Sequence, residues 1–165
     1  MMPSAAPSAR PAPTIDIVVE SPLWRDEPNA AAVLRRAIGE AAEVTGATAA
    51  RELAIMLCDD AAMRELNGRW RGRPEPTNVL SFPAADGSET LGDIAIAYET
   101  TVREAEAEGK PFADHVAHLA VHGFLHLLGY DHQSDAEATD MERLEVAILA
   151  RLGVPNPYAK DGPIR

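Results

Sequence analysis

All five histidines of the chain fall between positions 115 and 132. His122 and His126 are four residues apart in an apolar stretch that reads as a helix. Their side chains therefore share one face, about one turn apart, and two imidazoles at that spacing can reach a single metal ion. Gly129 takes a left-handed backbone at no steric cost, so it ends the helix and lets the chain turn back. Tyr130 and Asp131 complete the return, and His132 arrives at the same metal from the side. Three neutral imidazoles around Zn²⁺ leave a fourth position for water, the arrangement of a catalytic zinc site. Such a site lowers the pKa of water to about 7 and polarises a carbonyl or phosphoryl oxygen. A structural zinc site usually takes four protein ligands with cysteines among them, and this chain has one cysteine.

The neighbouring residues are more ambiguous. His118 shares the face of His122 and reads equally as a group lining the site or as one that packs at the helix surface. His115 is two turns from His122, about 10 Å along the axis. That is too far to share the ion, so it is expected to be structural or exposed. Asp131 is a candidate to orient a ligand histidine through a hydrogen bond.

The spacing H-x3-H-x2-G-x2-H is that of the metzincin proteases, in which a glutamate follows the first histidine and acts as general base. Here that position is Gly123. The spacing builds a metal site, but a peptidase reading lacks its base. Arg64, Arg69, Arg71 and Arg73 put four arginines within ten residues of a chain whose formal net charge is −11, a local reversal of charge. A guanidinium fork fits phosphate oxygens in bidentate fashion. Arg73 is expected to be solvated. Trp70 offers a surface for an unpaired base, although a core position is the expectation for it.

These side chains need a scaffold. Thr14–Glu20 and Arg51–Cys58 read as strands, with a helix over Asn29–Val44 between them and Gly46 beyond its end. Asp59 or Asp60 caps a helix to about Asn67. Arg69–Pro76 reads as a polar loop. Thr77–Phe82 and Leu91–Ala97 read as two more strands, divided by turn signals at Ala85–Ser88. Asp93, in the last of these, is a candidate for the cleft or for a strand-end turn. Glu99–Glu108 reads as a helix closed by Gly109. Pro111 occupies a first helical position, and the histidine helix runs from there to Leu128. Ser134 and Glu137 form a capping-box pattern for a last helix ending near Leu152, with Met141, Leu144, Ile148 and Leu152 on its buried face. Four strands and about five helices, with the helices late, predict a single α+β domain with a mixed sheet and a zincin-like metal site on a late helix.

Composition narrows the class. A length of 165 residues fits one domain, and 46% hydrophobic residues suffice for a core. The negative charge disfavours a surface that grips nucleic acid or an anionic membrane throughout. The single cysteine rules out an internal disulfide and suits a reducing compartment, and Cys58 reads as buried packing. No stretch approaches the roughly 18 apolar residues of a membrane span. The first 13 residues hold four prolines and no apolar signal core, so they read as a flexible lead. A cytoplasmic location is expected.

The run HGFLHLLGYDH from His122 to His132 resembles the signature of the YbeY family of ribosomal RNA maturation endoribonucleases. PTNVLSFP from Pro76 to Pro83, LGDIAIA from Leu91 to Ala97 and the late Asn156-Pro157-Tyr158 resemble further family blocks in the same order. The resemblance covers roughly Leu53 to Tyr158. It implies residues 14–158 as the endoribonuclease domain, preceded by the lead of residues 1–13 and followed by a tail of residues 159–165. It also implies one zinc ion held by His122, His126 and His132, and a functional arginine at Arg71. The implied activity is a zinc-dependent, single-strand-specific endoribonuclease. It would act in maturation of the 3′ end of small-subunit ribosomal RNA and in ribosome quality control, with the small ribosomal subunit and its assembly factors as partners. Two other readings stay open on the residues alone: a zinc hydrolase of another class, peptidase-like in fold, and a non-catalytic ribosome-assembly factor with structural zinc.

Overall fold

A computed structural model describes residues 13–47, 51–73 and 77–159. Its elements are β1 (Thr14–Val19), a 3₁₀ turn (Pro22–Asp26), α1 (Ala30–Thr45), β2 (Glu52–Cys58), α2 (Asp60–Arg71), β3 (Val79–Pro83), β4 (Thr90–Ala97), α3 (Tyr98–Glu108), α4 (Phe112–Leu127) and α5 (Asp135–Arg151). Four strands and five α-helices form the expected α+β architecture. The expected lead lies outside the described residues except for Pro13, and the expected tail does so except for Ala159.

The sheet order is β1-β2-β4-β3. β1, β2 and β4 are parallel, and β3 pairs antiparallel with β4 in the register Val79↔Ile96 to Pro83↔Gly92. β3 is thereby an edge strand beside α4, which also packs on β4, α1, α3 and α5. Leu53, Ile55, Ile94 and Ile96 face the main core with Leu34, Ile38, Phe124 and Leu125. Cys58, Met63, Leu80, Ala95 and Ala97 form a smaller core under α2 on the other face. β4 is thus covered on both faces over most of its length, which explains its nearly unbroken apolar run.

Boundaries follow local chemistry. Asp59 caps α2 by accepting from the Ala62 N–H at 2.8 Å. Ser134 caps α5 by accepting from the Glu137 N–H at 3.1 Å. The Glu137 carboxylate reaches the Gln133 N–H at 3.2 Å, one residue before the position a capping box predicts. Pro111 is the N-cap of α4, with extended backbone at ψ 143°, and not its first helical residue. Between β1 and α1, the 3₁₀ turn Pro22–Asp26 buries Trp24, whose indole N–H donates to the Cys58 carbonyl at 2.9 Å.

One boundary differs in a way that matters. The loop expected from Arg69 is helix up to Arg71, because α2 runs through Gly68 and stops at Gly72. Gly72 has φ 70°, and the Arg73 N–H returns to the Asn67 carbonyl at 3.2 Å. A glycine inside a helix weakens it by only about 1 kcal/mol, so Gly68 does not end it. Trp70 consequently projects from the last turn of α2 and is 64% exposed. The expected core position is incorrect: Trp70 makes an edge contact with Phe82, centroids 6.2 Å apart, over a shallow apolar groove. Asp93 lines that same groove from the middle of β4, neither in the histidine cleft nor at a turn.

Candidate metal centre

His122 and His126 occupy the last two turns of α4, the helix packed most centrally in the molecule. The helix ends as the sequence requires. Gly129 takes φ 101°, and the Tyr130 N–H reaches back to the Leu125 carbonyl at 3.0 Å, closing the terminus. The chain then reverses and brings the His132 ring centroid to 5.2 Å from His126 and 5.9 Å from His122. One ligand nitrogen from each of the three histidines lies within 4.8 Å of the others. Asp131 accepts from the backbone N–H of His132 at 2.8 Å, so it braces the loop and does not orient an imidazole.

The donor set suits a metal ion on the hydrogen bonds present. His126 Nδ1 lies 2.9 Å from the Tyr130 carbonyl. His122 Nδ1 lies 2.5 Å from Glu145 Oε2. Both partners only accept, so each Nδ1 carries the ring proton when the imidazole is neutral. The two Nε2 atoms then present lone pairs to each other at 3.1 Å. Such a pair has no proton to share and is stabilised by a cation between them. Tetrahedral Zn–N bonds of about 2.0–2.1 Å place neighbouring nitrogens about 3.3 Å apart. Burial, and then the neighbouring His122, push the His126 imidazole below its ordinary value, which keeps it in the neutral form that binds metal.

The three histidines line a cleft of about 930 Å³. Arg71 and Arg73 line it from the end of α2, and Asn78 and Ser81 from the β3 edge. The Arg71 guanidinium donates through Nη2 to the Ser81 carbonyl at 3.2 Å. Arg64 and Arg69 are exposed on α2 and do not line the cleft. Of the four clustered arginines, two therefore reach the histidine site, including Arg73, for which simple solvation was expected.

The site also contains a carboxylate that the sequence reading missed. Glu145, on α5, is 0% exposed. Its Oε1 accepts from His118 Nε2 at 3.1 Å and from the Tyr158 hydroxyl, and its Oε2 takes His122. Burial alone would raise this carboxyl. Hydrogen bonds from His118, His122 and Tyr158 instead hold it down at about 2. The Tyr158 phenol is pushed up by its own burial and by donating to that carboxylate. A signal did exist in the sequence. Glu145 lies four residues after Met141 and three before Ile148, inside the apolar stripe of α5.

His118 is thus a cleft-lining residue tied to Glu145. His115 is buried and structural, its Nε2 2.8 Å from Glu104 Oε1. At position 123, a Cβ would lie 3.1 Å from Ile94 Cγ2 and 3.1 Å from Ser81 Oγ. The missing glutamate therefore corresponds to a position pressed against the sheet. The Ser81 hydroxyl donates to the Gly123 carbonyl at 2.9 Å and ties β3 to α4 there.

Comparison with known proteins bears on the family and the fold. The family model described as Endoribonuclease YbeY matches residues 20–153. A curated Endoribonuclease YbeY of a Bradyrhizobium species is 55% identical over 159 residues, spanning 90% of this chain and 94% of the relative. One from Rhodopseudomonas palustris strain BisA53 is 57% identical over 156 residues, spanning 89% and 91%. A Thermotoga maritima protein solved in solution superposes with a TM-score of 0.58 at 21% identity, covering 92% of this chain and all of that one. That likeness bears on the fold.

Proposed function

The chain belongs to the endoribonuclease YbeY family, and from that premise we propose a zinc-dependent endoribonuclease specific for single-stranded RNA. Its role is maturation of the 3′ end of small-subunit ribosomal RNA and ribosome quality control in the cytoplasm. The observation that carries the reading is one cleft lined by His122, His126, His132 and Arg71.

His122, His126 and His132 would hold one zinc ion. Bound there, zinc supplies Lewis acidity to the phosphodiester and to water. The remaining work belongs to the chain. Among the described residues one Nη2 bond ties Arg71 to the β3 edge, and its further N–H groups would grip a phosphate and offset the charge that develops during cleavage. Arg73 adds a second positive charge along the same wall. The β3 edge and the His132 loop bound the groove in which the strand lies. The chain as a whole is acidic, with a formal net charge of −11, and repels bulk RNA. Binding to free RNA is therefore weak, and recognition draws on the small ribosomal subunit and its assembly factors.

Among the described residues, no helix is long and apolar enough to cross a membrane. A peptidase reading is disfavoured by Gly123, where no carboxylate stands and little room exists for one.

The test is cleavage of a single-stranded ribosomal RNA fragment by zinc-loaded protein, beside His126→Ala and Arg71→Ala proteins prepared identically. Cleavage lost in both folded variants supports the reading. Equal cleavage in all three refutes it and identifies a contaminant. No cleavage by any of them, with or without small subunits, favours the assembly-factor reading. End-group analysis of the product distinguishes attack by water from attack by the substrate 2′-hydroxyl.

A further inference from the structure

Glu145 is the one fully buried acidic side chain among the described residues. A buried ionised carboxylate persists only where it is paired and hydrogen-bonded. Three donors from three parts of the chain meet this one. His118 and His122 come from successive turns of α4, and Tyr158 comes from the turn after α5. The two oxygens divide the donors: Oε1 serves His118 and Tyr158, and Oε2 serves His122 alone.

That division has a consequence for His122. A neutral imidazole carries one proton, and in water histidine favours it on Nε2. A carboxylate 2.5 Å from Nδ1 draws it to Nδ1 instead. His122 Nε2 is then a lone pair aimed at His126 Nε2. His126 is held in the same tautomer by a backbone carbonyl, a neutral acceptor set by the helix end. His122 has no such carbonyl and depends on a side chain 23 residues away, in another helix.

Tyr158 completes the arrangement. Its backbone N–H donates to Asn156 Oδ1 at 2.8 Å, which fixes the turn that carries it. Its ring stands edge-on to His118, centroids 5.6 Å apart and planes at 89°. The phenol therefore reaches Glu145 from a braced position, opposite the oxygen that holds His122. The Asn156-Pro157-Tyr158 segment has no part in the function proposed above, and this contact assigns it one.

We propose that Glu145 is the positioning residue of the metal centre, fixing His122 as an Nε2 ligand, and that Tyr158 holds Glu145 in place so that the C-terminal turn becomes part of the centre. The proposal rests on the metal-binding reading above. It places no catalytic role on either residue. Partners of ligand histidines of this kind typically change metal affinity by about 10–100-fold when removed.

The test uses the full chain and two readouts. Zinc affinity is measured by chelator competition for wild type, Glu145→Gln and Tyr158→Phe, with thermal melts of the metal-free proteins alongside. The His122 tautomer is read in metal-free protein from its ring ¹⁵N resonances at one mildly alkaline pH. Wild type should show the proton on Nδ1. Glu145→Gln should weaken zinc by about 10–100-fold and let His122 populate both tautomers, because an amide can turn either a carbonyl or an NH₂ toward the ring. Tyr158→Phe should weaken zinc by a smaller factor with an unchanged melt. Affinity of Glu145→Gln within about threefold of wild type, with His122 unchanged, overturns the proposal. Should Glu145→Gln fail to fold, Tyr158→Phe decides: unchanged zinc affinity overturns the proposal, and weakened affinity at an unchanged melt supports it. Failure of wild type to bind zinc is seen in its own titration and counts against the metal reading, whereas the tautomer comparison still decides whether Glu145 governs His122.

Discussion

Gly123→Glu recreates the residue pattern of a metalloprotease helix, and it should yield an unstable protein without peptidase activity. The Cβ alone would lie 3.1 Å from Ile94 Cγ2, 3.1 Å from Ser81 Oγ and 3.3 Å from Ile94 Cδ1. Ile94 is fully buried on β4, and Ser81 is committed to the Gly123 carbonyl. Forcing extra atoms into a packed core costs about 1–3 kcal/mol. The carboxylate adds a penalty of several kcal/mol unless it takes up a proton or finds a partner. Against these stands a helix-propensity gain of at most about 1 kcal/mol over glycine. The net loss should be at least about 3 kcal/mol, a large share of the roughly 5–15 kcal/mol that stabilises a typical domain. Gly123→Ala meets only the Cβ contacts, so its net loss should be about 0–2 kcal/mol. Urea unfolding at constant m-value measures both, and a fluorogenic peptide panel measures protease activity. A Gly123→Glu protein within about 1 kcal/mol of wild type that cleaves peptides would refute the packing argument and reopen the peptidase reading.

Three further outcomes are expected. Burial lowers the His115 pKa despite its bond to Glu104. The folded state therefore binds this proton less readily than the unfolded chain, and His115 should cost stability as pH falls below about 6.5. NMR titration should place its midpoint below that value, and His115→Gln should flatten the acid limb of the stability profile; a midpoint at or above it would contradict the assignment. Trp70 is mostly exposed, so Trp70→Ala should change the unfolding free energy by less than about 1 kcal/mol, whereas a loss of about 3–5 kcal/mol would show the core position that its residue type suggests. The Cys58 thiol is buried on β2 and pushed up to about 12 by desolvation and nearby Glu20, so it should resist alkylation at neutral pH until the protein unfolds; labelling of native protein at the rate of a free thiol would contradict this.

The local features of this protein are legible in its residues because short-range physics decides them. Glycines at 46, 109 and 129 end helices where a left-handed backbone is needed. Asp59 and Ser134 cap helices by bonds to residues three positions on. The i, i+4 spacing of His122 and His126, followed by a reversal at Gly129, already implies the histidine cluster, since helix pitch and one turn bring its members together. Where local signals mislead, as at the polar stretch from Arg69, the helix runs on to Arg71 because α2 packs over the sheet.

Tertiary structure alone decided the rest. That Trp70 is exposed follows from which face α2 turns to β3 and β4, and no periodicity states it. That Arg71 and Arg73 enter the cleft, and Arg64 and Arg69 do not, follows from where α2 ends relative to the β3 edge. Glu145 shows the difference most clearly. In sequence it is one acid on a charged helix, 23 residues from His122. Its role depends on α5 crossing α4 so that the carboxylate, itself 0% exposed, meets two histidines and a tyrosine. Periodicity reports which face of a helix is buried, but only the packing of one helix on another reports what that face meets.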